Sequence, residues 1–181
     1  MRREYRSRSR IAEPKTVKDR NFIEHPALKL VVGASSGGHA NELIRLLDIA
    51  EGTLWPESTA YVTTFDLTAE VFSRRGKAVY MIGESDRKKP LRAIAVLLRS
   101  FGLAARLRPD VVVTTGSMPL AVFAICAKLF GAKIVWIDSV AQIEDLSLSG
   151  KIMRHVADLC LAQWPEVAAK YSNVEYAGET L

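Results

Sequence analysis

The sequence predicts an α/β domain of the Rossmann-like, doubly wound type, in which helices cover both faces of a parallel sheet. Two observations support this fold. Short β-type runs alternate with helical patterns from about residue 28 onward, and such alternation is typical of right-handed βαβ units. The runs at 111–115 and 133–137 are apolar almost throughout, as expected of strands that are covered on both faces.

Each element is placed by its apolar pattern and by the turn residues around it. Strands are predicted at 28–33, 59–65, 77–82, 110–115, 132–138 and 158–162, with a short one near 174–177. Helices are predicted at 39–51, 67–75, 89–107, 118–130, 148–157 and 165–171. Pro119 falls in the first turn of its helix, which suits proline. Ser149 is expected to cap the helical pattern that follows it, and Trp164 with Pro165 to form a packing and turn element.

The composition indicates one globular domain behind a basic tail. The chain has 181 residues, of which 49% are hydrophobic and 25% charged, as in ordinary single domains. Residues 1–25 carry eight Arg or Lys against four Asp or Glu, so most of the net charge of +5 lies there. We divide the chain into a tail, 1–26, and a domain, 27–181. The tail is expected to be a disordered arm, with contact to anionic lipid headgroups as the second reading. Nucleic-acid binding ranks last, and no nucleic-acid partner is expected.

The sequence favours a cytoplasmic location. No apolar core follows the N-terminal arginines, and no stretch approaches the ~20 apolar residues of a membrane span. Cys126 and Cys160 are the only cysteines and lie in apolar runs without metal-ligand spacing. This pattern is typical of buried free thiols in a reducing compartment. No cluster suited to a metal ion is apparent, and none is expected.

A glycine-rich turn lies between the first predicted strand and the first helix. It runs from Gly33 to His39 and contains Ser35, Ser36, Gly37 and Gly38. Glycines let the backbone approach a phosphate, and the free N–H groups of a helix N-terminus favour an anion. The spacing matches neither the dinucleotide fingerprint nor the P-loop. We expect contact with a phosphate or pyrophosphate group, the alternative being a tight turn without a ligand.

His39 and Glu42 are the candidate catalytic residues. His39 has three readings: a hydrogen bond to ligand phosphate or sugar, a general base for an acceptor hydroxyl, or a structural residue of the first helical turn. Glu42 is expected to lie in that first turn as an acid that favours the helix dipole. A catalytic part for Glu42 is the second reading.

Polar residues also follow two later strands. The strand at 110–115 ends at Thr115 and is followed by Gly116 and Ser117, and Asp138 with Ser139 ends the next strand. Because the carboxyl ends of parallel strands meet at one edge of the sheet, these residues are expected to face the same ligand as the first loop. Asp138 has two readings of equal weight, one as a residue that orients a hydroxyl or a loop and the other as a cap.

One predicted helix combines basic and apolar residues in an unusual way. Arg92, Arg99 and Arg106 recur every seven residues and so follow one stripe of the helix. The stretch around Phe101 is apolar on much of the remaining circumference. One reading is a core helix with a solvated basic edge. The other is an interfacial helix whose arginines meet lipid headgroups and whose apolar residues, Phe101 included, enter the acyl boundary.

Several separated motifs resemble a glycosyltransferase subunit family. That family contains bacterial exopolysaccharide proteins of the PssD type and the membrane-recruiting subunit of the eukaryotic two-part UDP-GlcNAc transferase of N-glycan assembly. The matching motifs are Gly33-Ala-Ser-Ser-Gly-Gly-His39 with Glu42-Leu43, Arg108-Pro-Asp-Val-Val-Val-Thr-Thr-Gly116, Leu146-Ser-Leu-Ser-Gly-Lys151, Ala157-Asp158, Gln163-Trp-Pro165 and Tyr176-Ala-Gly178. The resemblance covers about residues 28–178.

The resemblance implies that the chain is the N-terminal, acceptor-binding half of a GT-B glycosyltransferase similar to MurG. A separate PssE-like subunit would bind the UDP-sugar, and transfer would occur in the cleft between the two, without a metal or cofactor. The glycine loop and His39 would face the diphosphate and sugar of a polyprenyl-linked acceptor. Eukaryotic members carry a hydrophobic N-terminal anchor that is not seen here. Attachment to the inner face of the plasma membrane would therefore depend on the tail and the 87–108 helix.

Two other functions remain open at this point. The chain could be a non-catalytic recruiter that docks a complete glycosyltransferase at the membrane. It could also be a freestanding nucleotide-binding enzyme of the Rossmann type, which would bind NAD or ATP by itself.

Overall fold

The computed structural model describes residues 28–50, 58–85, 89–176 and 178. The predicted tail, 1–26, and the basic residues 87 and 88 lie outside this set. The strands are Leu30–Ala34 (β1), Ser58–Thr63 (β2), Ala78–Met81 (β3), Val111–Thr114 (β4), Lys133–Ile137 (β5), Leu159–Ala162 (β6) and Glu175–Tyr176 (β7). The helices are Gly38–Ala50 (α1), Asp66–Ser73 (α2), Pro90–Leu107 (α3), Met118–Leu129 (α4), Leu148–Met153 (α5) and Pro165–Ala168 (α6).

The described strands form one sheet in the order β3-β2-β1-β4-β5-β6-β7. Every neighbouring pair in it is parallel. Each strand and helix predicted from the sequence is present, and the Rossmann-like, doubly wound fold is confirmed. The order reverses direction between β1 and β4, which makes the gap beyond their carboxyl ends the usual ligand position of such sheets.

Two apolar cores, one on each face, hold the helices to the sheet. Leu43 of α1 and Phe72 of α2 pack on one face, where the Phe72 and Tyr61 rings stack with their centroids 4.9 Å apart. Residues of α3, α4 and α5 pack on the other face around Phe123 and Trp136. Helix α4 is apolar on nearly all sides because it is buried between the sheet and α3.

The structure corrects two boundary details. The cap of α5 is Ser147, whose hydroxyl accepts a hydrogen bond from the N–H of Gly150, so the expectation that Ser149 caps this helix was wrong. Gly33, predicted both as the last residue of the first strand and as the first residue of the turn, lies inside β1, which ends one residue later at Ala34. A Cβ at this position would lie 2.6 Å from Leu120 Cδ1, so Gly33 is required for α4 to approach the strand.

Candidate functional site

The first loop, residues 35–37, connects β1 to α1 at the point where the strand order reverses. Gly37 has φ +69°, a left-handed conformation that favours glycine. A Cβ on Gly37 or Gly38 would have no described atom within 4 Å, so the backbone faces open space here. The first turn of α1 contains no acidic residue. Its N–H groups and the positive end of its dipole are therefore available to an anion.

The second loop, residues 115–117, connects β4 to α4 and contains a strained residue. Ser117 has φ +86° and ψ 151°, a region used almost only by glycine and costing about 1–3 kcal/mol for other residues. Its hydroxyl is buried and has no hydrogen-bond partner among the described residues. Strain together with an unsatisfied hydroxyl is typical of positions kept for a ligand.

His39 joins the two loops. Its Nδ1 lies 2.7 Å from the carbonyl oxygen of Thr115, and Thr115 Oγ1 donates to the carbonyl oxygen of His39 at 2.6 Å. Because a carbonyl oxygen only accepts, Nδ1 must carry the proton of this bond. In the neutral ring the other nitrogen, Nε2, then holds a free lone pair. The predicted meeting of the two loops is confirmed.

Gly116 lies directly against the His39 ring. A Cβ at Gly116 would be 2.9 Å from Cε1 and 3.1 Å from Nδ1 of His39, and the residue has φ +119°. Both the space and the backbone conformation therefore require glycine at this position.

Glu42 connects α1 to the turn after β5. Its side chain is 1% exposed, and Oε1 accepts hydrogen bonds from Ser139 Oγ at 3.0 Å and from the N–H of Val140 at 3.1 Å. The expectation that Glu42 is a first-turn acid was wrong, since α1 begins at Gly38 and its first turn has none. Burial raises the pKa of this carboxyl, while the bonds from Ser139 and Val140 and the nearby His39 act in the opposite direction.

The raised pKa of Glu42 predicts a specific effect of pH on stability. The folded state holds this proton more tightly than the unfolded chain does. The resulting stabilisation is therefore complete below the ordinary value of 4.5 and is lost as the pH rises through the raised pKa. Glu42→Gln keeps an oxygen to accept from Ser139 and Val140 but cannot ionise. In urea unfolding, its free energy of unfolding should increase relative to the wild type as the pH rises. A difference that does not change with pH would contradict this explanation.

Asp138 organises the chain that follows β5. Its side chain is 2% exposed. Oδ1 accepts from Ser147 Oγ at 2.6 Å and Oδ2 from the Ser147 N–H at 2.7 Å, while the Asp138 carbonyl accepts from Gln163 Nε2 at 2.9 Å. Of the two readings from the sequence, these contacts favour the one in which Asp138 orients a loop. Direct contact of Asp138 and Ser139 with a ligand stays a prediction.

The predicted membrane-contact residues form a separate surface on α3. Only Val96, Ser100 and Ala104 of this helix are buried. Its exposed apolar side chains are Leu91 at 79%, Leu98 at 67%, Ile94 at 53%, Leu97 at 49% and Phe101 at 48%. Arg92, Arg99 and Arg106 are also exposed and follow one flank of this apolar face. α3 is therefore more than a core helix with a basic edge, since most of its large apolar side chains face solvent.

The sequence reasoning missed the structural roles of three residues. Thr64 and Gly83 follow β2 and β3, and both line a cleft beside Arg92 and Arg99. Gln163 is buried and holds the Asp138 carbonyl. The parallel order offered a signal for the first two, because residues after β2 and β3 must lie at the same sheet edge as the two loops.

The described residues contain neither a candidate metal site nor a candidate membrane span. No group of three or more His, Cys, Asp or Glu side chains lies close enough together to hold a metal ion. In the same part of the chain, no helix has both the length and the apolar character needed to cross a bilayer.

Solved structures share the fold of this chain. MurG from Acinetobacter baumannii superposes with a TM-score of 0.63 at 12% identity, covering 83% of this chain and 45% of MurG. UDP-N-acetylglucosamine 2-epimerase from Rickettsia bellii gives a TM-score of 0.61 at 13% identity, covering 85% of this chain and 45% of the epimerase. The chain thus spans less than half of each structure and has the fold of the N-terminal half of GT-B proteins.

Sequence comparison gives the family. The chain is 29% identical over 179 residues to the mouse UDP-N-acetylglucosamine transferase subunit ALG14, covering 84% of this chain and 82% of the relative. It is 30% identical over 193 residues to the Schizosaccharomyces pombe subunit of the same name, covering 91% and 87%. A family model described as "Oligosaccharide biosynthesis protein Alg14 like" matches residues 29–180. The chain belongs to the Alg14-like family of oligosaccharide biosynthesis proteins.

Proposed function

We propose that this chain is the acceptor-binding and membrane-recruiting half of a two-component transferase. The complex would move a sugar, GlcNAc by analogy with the named relatives, from a UDP-sugar to a polyprenyl-diphosphate-linked saccharide in exopolysaccharide or oligosaccharide biosynthesis. The donor would be held mainly by a second, PssE-like subunit. The observation that carries this proposal is the His39–Thr115 junction, which brings two anion-favouring turns and one imidazole together at the switch point.

The two loops suit a diphosphate. The N-terminus of α1 contributes free N–H groups beside Gly37 and Gly38, and its first turn has no acid to compete with an anion. The N-terminus of α4 follows the strained Ser117, whose buried hydroxyl has no partner among the described residues. A phosphate oxygen would accept from that hydroxyl. Ser35, Ser36 and Thr115 supply further polar groups on the same two turns.

His39 suits contact with the reacting hydroxyl of the acceptor. Since Nδ1–H is used on Thr115 O, Nε2 of the neutral ring accepts a hydrogen bond from a hydroxyl and cannot donate to a phosphate. In the proposed step the acceptor oxygen forms a bond to the anomeric carbon, the bond to the UDP oxygen breaks, and the hydroxyl proton passes to Nε2. Glu42 takes part indirectly, since its carboxylate fixes the turn at Ser139 and Val140.

The exposed face of α3 suits a membrane surface. Leu91, Ile94, Leu98 and Phe101 are about half or more exposed, an arrangement that is costly in water unless the face is covered. Arginines along its flank would meet anionic headgroups while the apolar side chains enter the acyl boundary. This orientation would place the protein at the inner face of the plasma membrane, where it would meet a polyprenyl-linked acceptor.

Reconstitution of the transferase tests whether acceptor binding and donor binding belong to two separate subunits. The full chain is incubated with UDP-GlcNAc and a polyprenyl-diphosphate-linked GlcNAc acceptor, alone and with a donor-binding partner subunit. We expect no transfer by the chain alone and UDP-sugar-dependent transfer when the partner is added. Robust transfer by the isolated chain would contradict the two-component design, and binding of NAD or ATP by the chain alone would favour a freestanding enzyme.

A further inference from the structure

A basic cleft lies beside the apolar face of α3, apart from the His39 site. Its volume is about 360 Å³, and it is lined by the residues that follow β2 and β3 together with the N-terminal half of α3. Arg92 and Arg99 approach it from the helix, and Thr64 and Gly83 from the sheet edge. None of these four residues belongs to the two loops that His39 joins.

The two arginines in this cleft are free to bind an anion. Neither the Arg92 nor the Arg99 guanidinium group forms a hydrogen bond or ion pair with any other residue in the described ranges. Gly83 has φ +86°, and a Cβ there would be 3.0 Å from Arg99 Nη1. The absence of a side chain at Gly83 therefore lets the Arg99 guanidinium lie against the backbone at the cleft wall. Glu84 is the one acidic residue that lines the cleft, and it is exposed.

A hydroxyl in the cleft wall also lacks a partner. Thr64 is 5% exposed, and its Oγ1 makes no hydrogen bond within the part of the chain that the structure describes. Buried hydroxyls are nearly always satisfied, so an acceptor supplied from outside the protein would complete this one. Two guanidinium groups and a hydroxyl donor together match the oxygens of a phosphate group.

We propose that the cleft formed by Arg92, Arg99, Thr64 and Gly83 is a second phosphate-binding subsite, which takes a phosphate group carried by a lipid headgroup or a free phosphate. A headgroup bound there would leave its acyl chains beside Leu91 and Leu98 on the same helix. The choice of a lipid as the source rests on the membrane orientation proposed above. The subsite itself does not, because it is defined by the contacts of the cleft.

Amide-shift titration of the full chain with sn-glycerol 3-phosphate and with inorganic phosphate tests the subsite. We expect saturable shifts at Thr64, Gly83 and Glu84, and an affinity at least about tenfold weaker in the double variant Arg92→Gln, Arg99→Gln. Arg106→Gln is the control, because it removes one positive charge from the same stripe but from a residue that lies over the Tyr80 ring, 5.7 Å from its centroid. The control should bind with nearly wild-type affinity.

A second variant tests whether phosphate binds through specific arginine hydrogen bonds or only through the positive charge of the cleft. Arg92→Lys, Arg99→Lys keeps the charge but removes the planar donor forks, so soluble phosphate should again bind several-fold more weakly. A lipid headgroup is the source if two results are obtained. Glycerol phosphate must bind more tightly than inorganic phosphate, and the chain must bind phosphatidylcholine vesicles only when they also contain phosphatidylglycerol. Free phosphate is the source if glycerol phosphate and inorganic phosphate bind equally well and phosphatidylglycerol does not promote vesicle binding.

Two results would overturn the subsite. In one, the Arg106→Gln control weakens phosphate binding as much as the double glutamine variant does. In the other, phosphate shifts only the amides of residues 35–39 and 115–117. Neither result would bear on sugar transfer, because the titration contains no donor and no acceptor.

Discussion

Replacing His39 by Ala is expected to lower turnover of the assembled transferase by about 10²–10⁴-fold, the range typical of a lost general base. The substitution removes Nε2, the ring nitrogen left with a lone pair when Nδ1–H donates to Thr115 O. It also removes one of the two hydrogen bonds between the loops, while the bond from Thr115 Oγ1 to the backbone carbonyl of residue 39 can remain. His39→Asn separates these effects, since its amide can still donate to Thr115 O but offers nothing at the Nε2 position. Both variants are expected to be similarly inactive.

Turnover is measured with saturating acceptor, and folding is checked by urea unfolding of each variant. His155→Ala is the matched control because His155 is exposed and follows α5, outside the two loops. It should transfer at the wild-type rate. Undiminished turnover of His39→Ala in the complex would instead show that the chain acts as a non-catalytic recruiter of its partner.

Replacing Gly116 by Ala is expected to reduce turnover at least about tenfold by displacing the His39 ring, because a shift of about 1 Å can cost 10²-fold in rate. The new Cβ would lie 2.9 Å from His39 Cε1, a separation that requires the ring or the loop to move. The positive φ of +119° adds a strain of about 1–3 kcal/mol, so the free energy of unfolding should fall as well.

Gly131→Ala provides the comparison for this variant. Gly131 also has a positive φ, +93°, but a Cβ there meets no described atom within 4 Å. Both variants should lose the stability that the positive φ costs, while only Gly116→Ala should lose turnover. If both variants kept wild-type turnover, the His39 ring position would not matter for transfer.

The overall fold could be predicted because strands and turns leave strong local signals. Buried parallel strands such as β4 are apolar almost throughout, and polar turns end them. Once the strands are parallel, the residues after β1 and β4 must share one sheet edge. The meeting of the two loops followed from that rule, but the contact of His39 with Thr115 is seen only in the structure.

Side-chain direction and close packing could not be predicted in the same way. Gly33 resembled a loop glycine in the sequence. In the structure, its lack of a side chain lets Leu120 pack against the strand, although Leu120 is 87 residues away in the sequence. Glu42 lies one helical turn beyond Gly38, and only the tertiary structure shows that its carboxylate reaches Ser139. Asp138 likewise finds its partner, Ser147, in a loop whose course has no periodic pattern.

The strain at Ser117 also left no signal in the sequence. Serine is an ordinary residue before a helix, so nothing indicated a conformation that is almost reserved for glycine. The conformation is visible only in the backbone angles of the folded chain. It then adds support to a ligand site that the motifs had already suggested.

Amide shifts of the full chain, titrated separately with a short-chain polyprenyl-diphosphate-linked GlcNAc and with UDP-GlcNAc, test most directly whether this half holds the acceptor. We expect the lipid-linked sugar to shift residues 35–39 and 115–117 together and UDP-GlcNAc to leave both loops unchanged. Shifts of these loops by UDP-GlcNAc, with none from the lipid-linked sugar, would contradict this expectation.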